Sequence, residues 1–388
     1  MQSHDNTETD ETVTKTVLIL VAVAFNILEL FIPRIPLLPW LKPGLANSIT
    51  IIWIIRYGTV DALLFTFIRV WISSFYFGLS LVTITLALSG GVAATLAMGG
   101  IWALSRKVAL FRSGTVGIAV TGALFHNAGQ LVAVYLLLAR NSTVIYQLPA
   151  MGIASLVFGC FTGLLTPVLW KMFIVEDPMN ISPITPRFPL RKASLNRLFI
   201  VIITACGLVA ALLLAVDSPI ILASAAAAAT ISALFISSRG AASLIHPLRF
   251  WFLFLFIAVF NLFFSYGTRI ASLPVITHEG CLETAVQSLR LWTWIELSLI
   301  LQALHANTLF YNTLRRIFPN RAGSLAAALF ALEYFPDVIA FVKSPAGRTG
   351  IVWRRPLPAL HAFADRVKRY IIDLLEKTSD ENGREQND

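Results

Sequence analysis

Long apolar runs dominate this chain and leave few ways to fold it. Thr16–Ile32, Val82–Leu104, Val116–Leu138, Met151–Ile174, Leu198–Val216 and Ile220–Ile236 are almost free of charge. Each approaches the roughly 20 residues that carry a helix across a ~30 Å hydrocarbon layer. Leu45–Ile55, Val60–Phe77, Phe250–Tyr266, Leu291–Leu304 and Ser324–Val342 are also mostly apolar but hold isolated polar groups. The runs are continuous rather than alternating, which argues against membrane β-strands. The expected fold is therefore an all-α polytopic membrane protein of about ten or eleven transmembrane helices.

Composition points the same way. Hydrophobic residues make up 57% of the 388, and charged residues only 13%, against about 25% charged in soluble domains. No water-soluble core absorbs that much apolar surface, so the lipid bilayer is a partner.

The formal net charge is +9, but the basic residues lie between the apolar runs. Arg106, Lys107 and Arg112 form one group; Lys171, Arg187, Arg191, Lys192 and Arg197 form another. Others run from Arg315 to Arg321 and from Arg348 to Arg369. This is the loop bias of the positive-inside rule. It predicts that these loops and the C-terminus are cytoplasmic, in a bacterial inner membrane, with no nucleic-acid partner. Asp5, Glu8, Asp10 and Glu11 precede the first run with only Lys15 to offset them. That is the wrong charge for a signal peptide, so the run reads as the first membrane helix.

The clearest interruption is Val175–Arg197, with Pro178, Pro183, Pro186 and Pro189 and no sustained apolar run. Proline removes backbone donors and breaks helices. Residues 176–197 thus read as an extra-membrane linker between a membrane domain at 1–175 and a second at 198–342. From 343 to 388 the chain is polar and basic. There Leu357, Leu360, Phe363, Val367 and Ile371 are spaced among charges as in an amphipathic helix. The alanine run Ala223–Ala229 reads as helix filler whose small side chains permit close packing.

Polar side chains inside lipid need a partner or a wet cavity. Lys42-Pro43-Gly44-Leu45-Ala46-Asn47 opens one apolar segment. Arg69 lies inside another, near Asp61, and reads as structural, paired with a carbonyl or with Asp61. His126-Asn127-Ala128-Gly129-Gln130 interrupts a third. His126 and Gln130, four apart, share one helix face, with Asn127 beside them. Asn47, His126, Asn127 and Gln130 could line a cavity for a small-molecule substrate; equally, the polar triplet could be an interhelical hydrogen-bond knot. Ser89-Gly90-Gly91 reads as a place of tight packing or a helix break. The cysteines Cys160, Cys206 and Cys281 are isolated, which supports neither a metal site nor a disulfide framework, and no cofactor is implied.

These motifs resemble the family labelled heptaprenyl diphosphate synthase component I, also called Gx transporter, over roughly residues 15–175. The resemblance rests on Gly44-Leu45-Ala46-Asn47 after Lys42-Pro43, Arg69, Ser89-Gly90-Gly91, and His126-Asn127 with Gly129-Gln130. That family in turn resembles the substrate-binding S components of energy-coupling factor transporters. The synthase label implies aspartate-rich motifs that hold magnesium and diphosphate. Here there is no DDxxD, and Asp177, Asp217 and Asp337 stand alone.

In the second half, Ala331-Leu332-Glu333-Tyr334-Phe335-Pro336-Asp337 followed by Ala346-Gly347-Arg348 resembles the T component of those transporters. The resemblance implies a cytosolic coupling helix in which Arg348 pairs with acidic groups of an ATP-binding-cassette ATPase, with Arg366 in the weaker second motif. The chain has no GxxxxGK[ST] phosphate cradle, so separate ATPase subunits would supply energy. The expectation is a non-enzymatic transporter subunit for a small organic molecule, joining substrate capture to an ATPase scaffold. The alternative is a membrane anchor for an isoprenoid, quinone or flavin redox pathway.

Overall fold

The computed structural model describes residues 2–30, 42–77, 81–107, 114–139, 142–174, 205, 208–209, 212–236, 240–264, 267–270, 273–303, 322–343, 362, 365–366 and 369–373. The 176–197 segment, Arg112 and Arg348 lie outside them. The first half forms α1 (Gln2–Leu30), α2 (Ala46–Tyr57), α3 (Thr59–Phe77), α4 (Leu81–Lys107), α5 (Thr115–Val134) and α6 (Leu148–Phe173). The second forms α7 (Pro219–Ile236), α8 (Trp251–Phe264), α9 (His278–Ala303) and α10 (Ala322–Lys343). A two-stranded antiparallel ribbon, β1 (Arg269–Ile270) and β2 (Leu273–Thr277), joins α8 to α9. It is the only strand pairing among the described residues.

The protein is a multi-pass membrane protein built of helices. Six described segments are long and apolar enough to cross a bilayer: Glu11–Glu29, Leu81–Lys107, Thr115–Leu138, Val144–Phe173, Pro219–Ile236 and Leu244–Phe264. A seventh arises if Gly323–Leu332 and Tyr334–Phe341, bent by 60°, make one broken span. The difference from ten or eleven has physical causes. Helix α2 has 12 residues, about 18 Å at a rise of about 1.5 Å per residue, too short to span. It is an interior piece, buried from Ala46 to Ile54. Arg290 and Glu296 interrupt the apolar part of α9 and are fully buried. Most of 198–211 lies outside the described residues.

Helices α6 and α7 are patterned inside out relative to those of a soluble bundle. On α6, Ile153, Leu156, Val157, Phe161 and Leu164 are exposed, while Met151, Ser155, Gly159, Thr162, Gly163 and Thr166 are buried. On α7, Ile220, Ile231 and Phe235 face outward, and Ala226, Ala229 and Ala233 face in. Lipid accepts the large side chains, and helices approach through the small ones. A Cβ at Gly163 would strike the backbone of Val116 on α5, and one at Gly159 would come within 2.6 Å of Val120 Cα.

Two cores result. One joins α1, α2, α3, the C-terminal end of α6 and α10. The other joins the start of α4, the end of α5, α7, α8 and α9. Each draws on residues from both sides of 176–197. The contact between α10 and the first half is specific. The Asp61 carboxylate on α3 accepts a hydrogen bond from Trp53 Nε1 on α2 at 3.0 Å and from Ser324 Oγ on α10 at 2.8 Å. Trp53 also stacks on Phe65 at 4.3 Å. Residues 369–373 are helical; Tyr370 stacks on Phe341 of α10 at 4.1 Å, and Ile371 and Ile372 join the first core.

Overpacking a tight contact costs about 1–3 kcal/mol. Gly163→Leu should therefore lower the thermal midpoint of the detergent-purified protein by several degrees. Gly152→Leu, on the same helix but with nothing within 4 Å of a Cβ, should leave it unchanged.

Candidate functional site

Where α1 to α5 converge, the bundle encloses a cavity of about 50 Å³. Polar side chains join Ala46, Val70 and Ala87 in its wall. Helix α1 contributes Asn26 and Glu29, three apart and so on one face. The turn before α2 contributes Lys42 and Gly44, and α2 contributes Asn47. From α3 come Arg69 and Ser73, one turn apart; from α5 come His126 and Gln130 with the same spacing.

Local chemistry holds the turn in place. Gly44 sits at φ +72°, where a side chain is strained, and its carbonyl accepts from Asn47 N–H at 2.8 Å. The Glu29 carboxylate accepts the Leu45 N–H. That bond satisfies a donor at the start of α2, which has no cap from its own sequence.

Arg69 organises one side of the wall. Its Nη1 donates to Asn26 Oδ1 and its Nη2 to Asn47 Oδ1, both at 3.3 Å. Asn26 Nδ2 donates to Ser73 Oγ at 3.1 Å, and Ser73 Oγ donates to the Arg69 carbonyl at 2.7 Å. The guanidinium is thus held by helices α1, α2 and α3 together. Arg69 Nε, His126 Nδ1 and Gln130 Oε1 are buried on this wall without a hydrogen-bond partner. Buried polar atoms are normally paired; others without a partner lie away from the cavity, at Gln147 and Asn261.

Gly90 and Gly91 bring α4 close to this wall. A Cβ on Gly90 would lie 2.8 Å from Gln130 Cγ and 2.9 Å from the His126 carbonyl oxygen. One on Gly91 would lie 2.8 Å from Thr66 Cγ2 on α3. The pair lets α4 pack against two helices at once.

The structure therefore brings together Lys42, Asn47, Arg69, His126 and Gln130, with two departures from expectation. Asn127 does not line the cavity. Its Nδ2 donates to Ser155 Oγ at 2.7 Å and to the Met151 carbonyl at 3.2 Å, which ties α5 to α6. One residue is about 100° of helix, enough to turn it away from His126. Nor does Arg69 bond to Asp61. Eight residues separate them, about 12 Å along a helix, and Asp61 serves Trp53 and Ser324 instead. Sequence reading missed Asn26, Glu29 and Ser73. Asn26 and Glu29 are polar groups in the first apolar run, and Ser73 lies one turn after Arg69; both signals were present.

Arg366, expected from the resemblance to a T component to meet an ATPase, is half-buried in a helical stretch. The side chain of Glu333, in the Ala331–Asp337 segment of that resemblance, is not among those described.

These features define a polytopic helical membrane protein with a polar cavity inside its N-terminal bundle. Residues 18–169 match the family model described as heptaprenyl diphosphate synthase component I. The match spans every helix that lines the cavity and ends before the second half. No curated protein and no solved structure matches the chain.

If Asn127 is a tie and Gln130 a cavity wall, their variants separate. Asn127→Ala should lower the thermal midpoint, at a cost of about 0.6–1.7 kcal/mol, typical of interhelical bonds in membranes. Gln130→Ala, which removes an unpartnered group, should not.

Proposed function

We propose that this chain is the membrane part of a transporter for a small organic molecule, with capture in the α1–α5 cavity. The carrying observation is that Lys42, Asn47, Arg69, His126 and Gln130 line one cavity within a lipid-spanning bundle. An intramembrane charge costs about 2.5–3.5 kcal/mol even on insertion scales. Groups of this kind are retained where they bind something or line its path. At about 50 Å³ the cavity is far below the ~300–1,000 Å³ of sites that enclose a drug-sized ligand. It would hold a polar end of the substrate, and admitting the rest requires the helices to part.

On this reading the second half is the scaffold. Separate ATP-binding-cassette ATPases supply energy, and Arg348 and Arg366 belong to the segment that meets them. The membrane is the bacterial cytoplasmic membrane, with the basic loops inside. No catalytic step is assigned. Among the described residues the cavity wall holds one carboxyl group, Glu29, already engaged by Leu45 N–H, whereas diphosphate chemistry calls for several carboxylates around magnesium.

The description of the matching family favours a second reading: a membrane partner of prenyl diphosphate or redox enzymes. Affinity purification from the native membrane separates the two. The transporter reading expects ATP-binding-cassette subunits in the eluate; prenyl or redox enzymes in their place would overturn it. His126→Ala should abolish uptake while the protein still reaches the membrane in normal amount. Unchanged uptake would remove His126 from the site.

A further inference from the structure

We infer that Glu296 on α9 is a proton-binding site, whose carboxyl is neutral while the second core is closed and ionises when water reaches it. Glu296 lies outside the capture cavity, and its role holds whatever that cavity binds. Helix α9 is enclosed on all sides at this level, because every residue from Thr293 to Ile300 is buried. The stretch supplies Trp294, Ile295, Leu297 and Ile300 to the second core, together with Leu222 of α7 and Phe256 of α8. Glu296 sits among them at 0% exposure, and neither side-chain oxygen has a hydrogen-bond partner.

Among the described residues no charge balances this carboxyl. Arg290 is the nearest titratable group on α9, but six residues put it about 120° away around the helix axis. Its guanidinium donates to the carbonyl oxygens of Leu213 and Val216 and pairs with Asp217. The described elements that pack on α9 are α4, α7, α8, β2, the 3-10 helix Gly240–Phe250 and the π-helix Tyr135–Ala139. Helices α7 and α8 and strand β2 hold no titratable side chain. The two short helices hold Tyr135, His246 and Arg249. Helix α4 holds Arg106 and Lys107 in its last turn, whereas it meets the second core through Val82 and Leu86 at its start. None of these groups makes a hydrogen bond or ion pair with Glu296.

An unpaired carboxylate in an apolar interior is so costly that the group takes up a proton instead. The neutral acid still lacks partners, but its penalty is that of a polar group rather than an ion. Wetting α9 reverses the balance. The carboxyl O–H bond breaks, the proton passes to a water molecule, and a solvated carboxylate is left. Any motion that opens the second core at Glu296 therefore releases a proton, and acid holds that core closed. A solvated glutamate ionises near its ordinary value of about 4.3. Above that pH the closed protein binds more protons than the opened one, so its stability falls as pH rises.

The test uses the full chain in detergent and follows the thermal midpoint from about pH 5 to about pH 7, above the ordinary glutamate value. Glu296→Gln keeps the shape of the side chain and removes its titration. The wild-type midpoint should fall relative to the variant's as pH rises, the gap widening by a few degrees. The infrared difference spectrum at neutral pH, wild type minus variant, should carry the C=O band of a carboxylic acid and no carboxylate band. If Glu296→Gln does not fold, because its amide is itself left unpaired, Glu296→Met is the neutral reference for both measurements. A gap that does not change with pH, or a carboxylate band in the difference spectrum, overturns the proposal. So does failure of both variants to fold, since a group that is neutral in an apolar core tolerates a neutral replacement of its size.

Discussion

A guanidinium at membrane depth has to be solvated by the protein itself, and much of the N-terminal bundle follows from that demand at Arg69. Its partners come from α1 and α2, so both helices must reach α3 at one level. The start of α2 is held there by Glu29, which takes the Leu45 N–H. Ser73, bonded to the Arg69 carbonyl, holds Asn26 from the other side. The bonds to Asn26 and Asn47 leave Nε of the guanidinium without a partner.

The same bundle shows why small residues matter more than large ones in its interior. Gly90 and Gly91 let α4 touch α3 and α5, and the small face of α6 lets it lie on α5, where Asn127 and Ser155 close the contact. Large apolar side chains do little between helices when lipid is an equally good solvent for them. On α6 they point outward, from Ile153 to Leu164, whereas α2 and α3 bury Trp53 and Phe65.

How much of this is legible in the sequence depends on the kind of signal. The membrane helices are legible because a long charge-free run has few other fates. Lys42, Asn47, Arg69, His126 and Gln130 are legible because each is a polar group where lipid makes it expensive. Helical spacing also puts His126 and Gln130 on one face. What a single sequence does not carry is the rotation of each helix about its axis. That rotation sends Asn127 to α6 and assigns Asp61 to Trp53 and Ser324. Helix count suffers from a related ambiguity. An apolar segment such as Ala46–Tyr57 looks the same whether it faces lipid or other helices, and only its 12 residues hint that it is an interior piece. Glu29 escapes attention because it lies at the end of an apolar run, where charges are ordinary.

The bond from Ser324 to Asp61 bears on how such a molecule could move. Helix α10 belongs to the C-terminal half by sequence but to the N-terminal core by packing. Its Ser324 shares a buried carboxylate with Trp53, itself fully buried. Sliding the first six helices against α7–α9 would leave this link intact only if α10 travelled with them. Breaking it would strand the Asp61 carboxylate with one donor fewer in a dry interior, a cost of about 1–3 kcal/mol or more for a charged group. No packing divide therefore falls at the proline-rich segment: α10 packs with the N-terminal core, and α7–α9 share a second core with the start of α4 and the end of α5.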